Sequence, residues 1–105
     1  MTPSPCDIYL VDLGMVAKTR PMVVVSRHDV DAPRALSLCV PFTTKNRGSK
    51  YEVAIGASPF FREPSWANVQ GTMAVGNEKL IRRLGKLTVN QYSDVKAALR
   101  YALDL

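Results

Sequence analysis

The sequence predicts a mainly β domain with one C-terminal α-helix, most economically a small antiparallel β-barrel whose opening the helix covers. Three observations carry this. Short apolar runs recur between Gly, Pro and polar clusters; a single capped amphipathic stretch closes the chain; and 105 residues leave room for only one domain, 1–105. A chain of this length buries roughly 60–70% of its unfolded surface, enough for a modest core.

The elements follow in order. Asp7-Ile8-Tyr9-Leu10-Val11-Asp12 places large apolar residues on both faces, so it reads as a well-covered strand that ends before a loop from Gly14 to Thr19. Met22-Val23-Val24-Val25 begins after Pro21 and stops at Ser26. It predicts a central strand with a wholly buried interior and Pro at its entry, where no ladder donor is needed. Arg27 to Arg34 is a polar connection, and a third strand from Ala35 to Val40 closes on Pro41. A loop from Phe42 to Lys50 leads to Tyr51-Glu52-Val53-Ala54-Ile55, which alternates cleanly with Tyr51, Val53 and Ile55 on one face and Glu52 towards solvent. Gly56 to Pro64 is a longer loop that tucks Phe60 and Phe61 against the domain. Ser65 to Gln70 and Leu80 to Leu84 predict two further strands around a turn at Gly76-Asn77. Thr88-Val89-Asn90-Gln91 matches a capping box, and Val89, Tyr92, Val95, Leu99 and Ala102 form an apolar helical stripe that packs on the sheet.

Composition narrows the chemistry. An apolar fraction of 47% with 22% charged residues argues against disorder. The apolar runs fall far short of the ~18 residues of a membrane span. Met1-Thr2-Pro3-Ser4-Pro5 has neither a basic start nor an apolar h-region, so the expected location is cytoplasmic, with no membrane partner. Cys6 and Cys39 are spaced too widely for a zinc knuckle and read as buried thiols. Fourteen Lys and Arg against nine Asp and Glu give a net charge of +5, which favours a polyanionic partner without identifying one.

One histidine, His28, cannot supply the two imidazoles of many metal-free ribonucleases. The close acidic pair Asp29/Asp31 is explained by turn chemistry beside Pro33, so neither a metal nor another cofactor is expected. No phosphate-loop, dinucleotide or hydrolase-elbow motif is present. What remains is a cationic constellation at strand ends: Arg20 beside Pro21, Thr43-Thr44 after Pro41-Phe42, and the nearby Lys45, Arg47 and Lys50. The planar fork of an anchored arginine suits phosphate oxygens. Each member also has a plain alternative: strand-end capping for Arg20, turn hydrogen bonding for the threonines, and a solvated loop for the cations. Trp66 reads either as a base-stacking ring or as core or dimer interface.

At these residues the sequence resembles the MazF/PemK family of bacterial toxin endoribonucleases, in order from about Cys6 to Leu105. Asp7-Ile8-Tyr9-Leu10-Val11-Asp12-Leu13 resembles its opening strand. Thr19-Arg20-Pro21-Met22-Val23-Val24-Val25-Ser26 resembles its Arg-Pro strand, and Leu38-Cys39-Val40-Pro41-Phe42-Thr43-Thr44-Lys45 its Pro-x-Thr strand end. Asn68-Val69-Gln70-Gly71 falls where the family has a Gln-containing strand, and Arg83-Leu84-Gly85-Lys86-Leu87 where its chain enters the last helix. Two features depart from many members: Cys6 stands in place of Gly before the opening Asp, and the first loop, Gly14-Met15-Val16-Ala17-Lys18, is short.

The resemblance implies an SH3-like, CcdB-like antiparallel barrel that forms a homodimer and is restrained by a cognate antitoxin protein. It also implies metal-independent cleavage of single-stranded RNA to 2′,3′-cyclic phosphate and 5′-hydroxyl ends. Arg20 and Thr43 would be the catalytic pair. Lys18, Thr44, Lys45, Arg47, Lys50 and Gln70 would hold the RNA. Arginine, with a pKa above ~12, is unsuited to act as the base towards the 2′-hydroxyl; charge stabilisation is the role it can fill. Two rivals share the fold: a CcdB-like toxin that poisons DNA gyrase, and a non-catalytic nucleic-acid-binding barrel. Arg20-Pro21 with Thr43-Thr44 belongs to the nuclease branch.

Overall fold

A computed structural model describes residues 2–15, 18–56 and 58–105. Its strands are β1 (Asp7–Asp12), β2 (Thr19–Val24), β3 (Leu36–Thr43), β4 (Glu52–Gly56), β5 (Ser65–Asn68), β6 (Met73–Gly76) and β7 (Leu80–Lys86), followed by helix α1 (Val89–Leu103). Short 3-10 turns at Val69–Gly71 and Asn77–Lys79 flank β6. The expected first loop includes Val16 and Ala17, and the long loop before β5 includes Ala57; these positions, with Met1, lie outside the described residues.

All strand pairings are antiparallel, in the order β4-β5-β3-β2-β1-β7, with β6 also on β3. Among the described residues no pairing joins β4 to β7. The mainly β architecture with its closing helix is therefore as expected, but the expected barrel is an open sheet of seven strands.

Two strands run further than proline punctuation suggested. β2 begins at Thr19, with Pro21 inside it opposite Leu10 of β1. β3 continues through Pro41 to Thr43. The reason is a change of partner: one edge of β3 pairs with β6 along Leu36 to Cys39, then with β5 at Phe42 and Thr43. Between them the Val69–Gly71 turn passes Pro41 so closely that a Cβ on Gly71 would fall 2.7 Å from the Pro41 Cγ. Proline thus stands where that edge has no ladder bond to lose. β6 was not expected at all, since it is only four residues long and only Val75 is buried.

Each face of the sheet carries its own apolar cluster. Ile8, Val23 and Val40 join Val53, Ile55, Ala67 and Val69 beneath Val95 and Ala98 of α1. Tyr9, Val11, Met22, Val24 and Cys39 meet Val75 and Leu80 on the other face. Burial on both faces explains why β1 and β2 read as nearly unbroken apolar runs. Phe60 and Phe61 pack against the first cluster as expected, and the Phe61 ring lies 4.7 Å from that of Phe42.

The capping box forms. Thr88 Oγ1 accepts from the Gln91 N–H, and Gln91 Oε1 accepts from the Thr88 N–H at 2.9 Å. The helical stripe is shifted: Val89, in the first turn, is 84% exposed, and Ala98 is buried in its place. Cys39 is buried as expected, but Cys6 is only partly so. Among the described residues no helix is long and apolar enough to cross a membrane.

Candidate nucleic-acid interface

The β2–β3 ladder pairs Met22 with Pro41, Val23 with Val40 and Val24 with Cys39. Continuing that register two steps towards the start of β2 sets Arg20 opposite Thr43. Both positions lie within their strands, and alternation puts both side chains on one face. Arg20 is exposed and Thr43 partly so. Thr43 in turn pairs with Trp66 of β5, which pairs with Ala54 of β4, while Asn68 pairs with Glu52. A polar row from β4 to β2 thus runs across the face opposite the helix-covered core.

Beside this row lies a cleft of about 500 Å³, lined by Thr43, Lys45, Arg47, Ser49, Tyr51, Glu52, Asn68 and Gln70. Its basic wall is a loop that the sheet holds in shape. Glu52 Oε1 accepts from the Arg47 N–H at 3.0 Å, the Ser49 N–H at 3.2 Å and the Ser49 hydroxyl at 3.1 Å. Desolvation opposes ionisation of Glu52, but these bonds, reinforced by the Arg47 charge, hold its carboxyl below the ordinary range. Glu52 lies on the solvent side as expected, and there it ties down the loop that carries the cations.

On the opposite wall Asn68 Oδ1 accepts from the Gln70 N–H at 3.2 Å and shapes the turn that presents Gln70. Thr43 Oγ1 accepts from the Lys45 N–H at 3.1 Å. That contact fixes the oxygen and leaves its hydrogen to donate to a ligand.

Of the residues expected from sequence, Thr43, Lys45, Arg47 and Gln70 therefore meet in one cleft, while Arg20 stands on the neighbouring strand β2 outside its lining. The remaining three stand apart from it. Lys18 closes the β1–β2 turn, its N–H bonded to the Gly14 carbonyl at 2.8 Å. Thr44 is exposed just past β3. Lys50 lies on the helix side, its Nζ 5.3 Å from the Tyr101 ring centroid. Ser49, Glu52 and Asn68 were not anticipated as part of the site. Their contribution comes from side-chain oxygens that accept from nearby loop amides, and only the spacing of Ser49 and Glu52 around a basic loop hinted at it. Among the described residues, no three His, Cys, Asp or Glu side chains converge as metal ligands would.

Fold and site together define a small basic β-sheet protein whose cationic cleft, with a single carboxylate already engaged by its own loop, is suited to a phosphate chain. The model of the PemK-like, MazF-like toxins of type II toxin-antitoxin systems matches residues 4–103, and the chain belongs to that family. An endoribonuclease solved in complex with its cognate antitoxin, from a mycobacterial species, is 27% identical with a TM-score of 0.84, covering 98% of this chain and 96% of its own. The Mycobacterium tuberculosis toxin MazF-mt6 is also 27% identical, at a TM-score of 0.81, with coverage of 94% and 97%. A MazE-MazF complex from Deinococcus radiodurans matches at a TM-score of 0.82 over 100% of this chain and 99% of its own; at 16% identity it speaks for the fold alone. No curated protein matches by sequence.

Proposed function

We propose that this chain, as a single domain over residues 1–105, is the toxin of a toxin-antitoxin pair and a metal-independent endoribonuclease for single-stranded RNA. It acts as a cytoplasmic homodimer, and a segment of its antitoxin occupies the same cationic cleft. The observation that carries the reading is the basic cleft that gathers Thr43, Lys45, Arg47 and Gln70; the β2–β3 register, extended two residues beyond Met22–Pro41, supports Arg20 as the partner of Thr43. Family membership and the endoribonucleases among the similar structures support it.

The ribose 2′-oxygen attacks the neighbouring phosphorus as its proton passes to water, the bond to the 5′-oxygen breaks, and that oxygen takes up a proton from water to leave as a hydroxyl, with a cyclic phosphate behind it. Negative charge gathers on the phosphorane oxygens as this proceeds. Arg20 neutralises it with a two-pronged donor, and the Thr43 hydroxyl orients one phosphate oxygen. Lys45, Arg47 and Gln70 hold the flanking strand, with Lys18, Thr44 and Lys50 as outer contacts.

The test is incubation of purified protein with mixed-sequence RNA in excess EDTA. The expected products end in 2′,3′-cyclic phosphate and 5′-hydroxyl, and a substrate with one 2′-deoxyribose at the cut site resists. Cleavage that requires added magnesium overturns the metal-free mechanism. Intact RNA together with inhibition of DNA gyrase overturns the nuclease reading.

A further inference from the structure

We propose that Trp66 is the stacking platform for a nucleobase next to the scissile phosphate, so that it positions and helps to select the strand. This rests on the nuclease reading above and deepens it. Trp66 lies directly across from Thr43 in the β3–β5 ladder and across from Ala54 in the β4–β5 ladder. Directly paired residues share a face with their Cβ atoms about 5 Å apart, so the Trp66 side chain leaves the sheet next to that of Thr43, at the border of the cleft that Thr43 lines.

The same face carries Asn68 two residues on. The core side of β5 is taken by Ser65 and Ala67, both buried, whereas Trp66 is partly exposed. Trp66 belongs to neither apolar cluster. Among the described residues the aromatic contacts join Phe42, Phe60 and Phe61 with one another and Tyr51 with Tyr101, and none uses Trp66. Its other neighbour in the row, Ala54, offers only a methyl group and is exposed. A partly exposed indole on the strand beside Thr43 puts a stacking ring within one nucleotide's reach of a hydroxyl free to donate to phosphate.

Trp66 is the chain's single tryptophan, so its fluorescence reports on this site alone. An all-deoxy single strand of mixed sequence, which lacks 2′-hydroxyls and so resists cutting, is expected to quench it. An abasic strand of equal length, with the same phosphates and no bases, is expected to leave it unchanged. In cleavage assays Trp66→Ala should raise KM about ten-fold with kcat little altered, and Trp66→Phe should restore most of the loss. Fluorescence unmoved by the base-bearing strand, quenched equally by the abasic one, or changing with protein concentration instead of strand overturns the proposal. So does an unchanged KM in a folded Trp66→Ala. Quenching by bases without any RNA cleavage would remove the nuclease reading and keep the platform; cleavage without quenching would do the reverse.

Discussion

Arg20 carries most of the functional argument, and its setting makes it separable from stability. It is exposed on a strand whose following residues, Met22 to Val24, are fully buried, so truncating it opens no core cavity. Arg20→Ala is expected to lower the cleavage rate by roughly 10²–10³, the scale of one preorganised electrostatic donor, with a melting temperature close to the parent's. Arg20→Lys should recover only part, because an ammonium cannot bridge two oxygens. A folded Arg20→Ala that cleaves at near-parental rate in the RNA assay would remove Arg20 from the mechanism. Cys6 shows a different physics at the same scale. Its φ is +80°, a conformation that costs a residue with a side chain about 1–2 kcal/mol. Glycine, which the resembling family often has there, adopts it freely. Cys6 is only partly buried, so Cys6→Gly loses little packing. It is expected to stabilise by about 1 kcal/mol in thermal melting; a lower melting temperature would mean that the thiol's contacts outweigh the strain.

Among the elements, those whose logic is local were legible in the sequence. The capping box, the alternation of Val53 and Ile55, and the buried valines of β2 all depend on neighbours within a few residues. What escaped depends on partners far along the chain: the passage of β3 through Pro41, the extra strand β6, and the open edges at β4 and β7. The site divides differently. Thr43, Lys45, Arg47 and Gln70 announced themselves by residue type, while Glu52 and Asn68 act through side-chain oxygens that accept from loop amides, a geometry residue type alone does not reveal. Glu52 gives that bonding a measurable consequence. Its carboxyl is held below the ordinary range, so the native state binds the proton less readily than the unfolded chain. The stabilisation is complete above the unfolded carboxylate value of ~4.3 and is lost as pH falls through the lower folded value. Acidification should therefore release the amides of Arg47 and Ser49, seen as faster hydrogen exchange relative to the β1–β2 ladder. Glu52→Gln should show that release already at neutral pH and weaken RNA binding. Amide protection in Glu52→Gln equal to the parent's would show that the loop holds itself.

The whole molecule divides its surface by chemistry. The polar row and cleft occupy one face, and a group of exposed leucines lies on the other. Alternation along β3 places Leu36 and Leu38 opposite to Thr43, and they are 49% and 48% exposed. Leu38 also lines a groove of about 270 Å³ with Val25, Leu99, Leu103 and Leu105 from the end of α1 and beyond it, and Leu103 and Leu105 are 62% and 86% exposed. Phe60 and Phe61 are partly buried and pack against the first cluster. Among the described residues the leucine surface is therefore better placed to join two copies, and a contact there leaves Trp66, Thr43 and Arg20 open to a strand. Apolar area gathered in this way on a small chain is characteristic of association surfaces. Light scattering at tens of micromolar protein should give twice the 11.6 kDa chain mass. Leu38→Asp, which sets a charge in the groove while leaving the fully buried residues untouched, should shift that mass to the monomer with the far-ultraviolet dichroism preserved. A parental monomer contradicts the homodimer itself. A Leu38→Asp protein that stays dimeric moves the contact away from the leucine surface, and a strand-independent shift in Trp66 emission on dilution would then locate it on the cleft face instead.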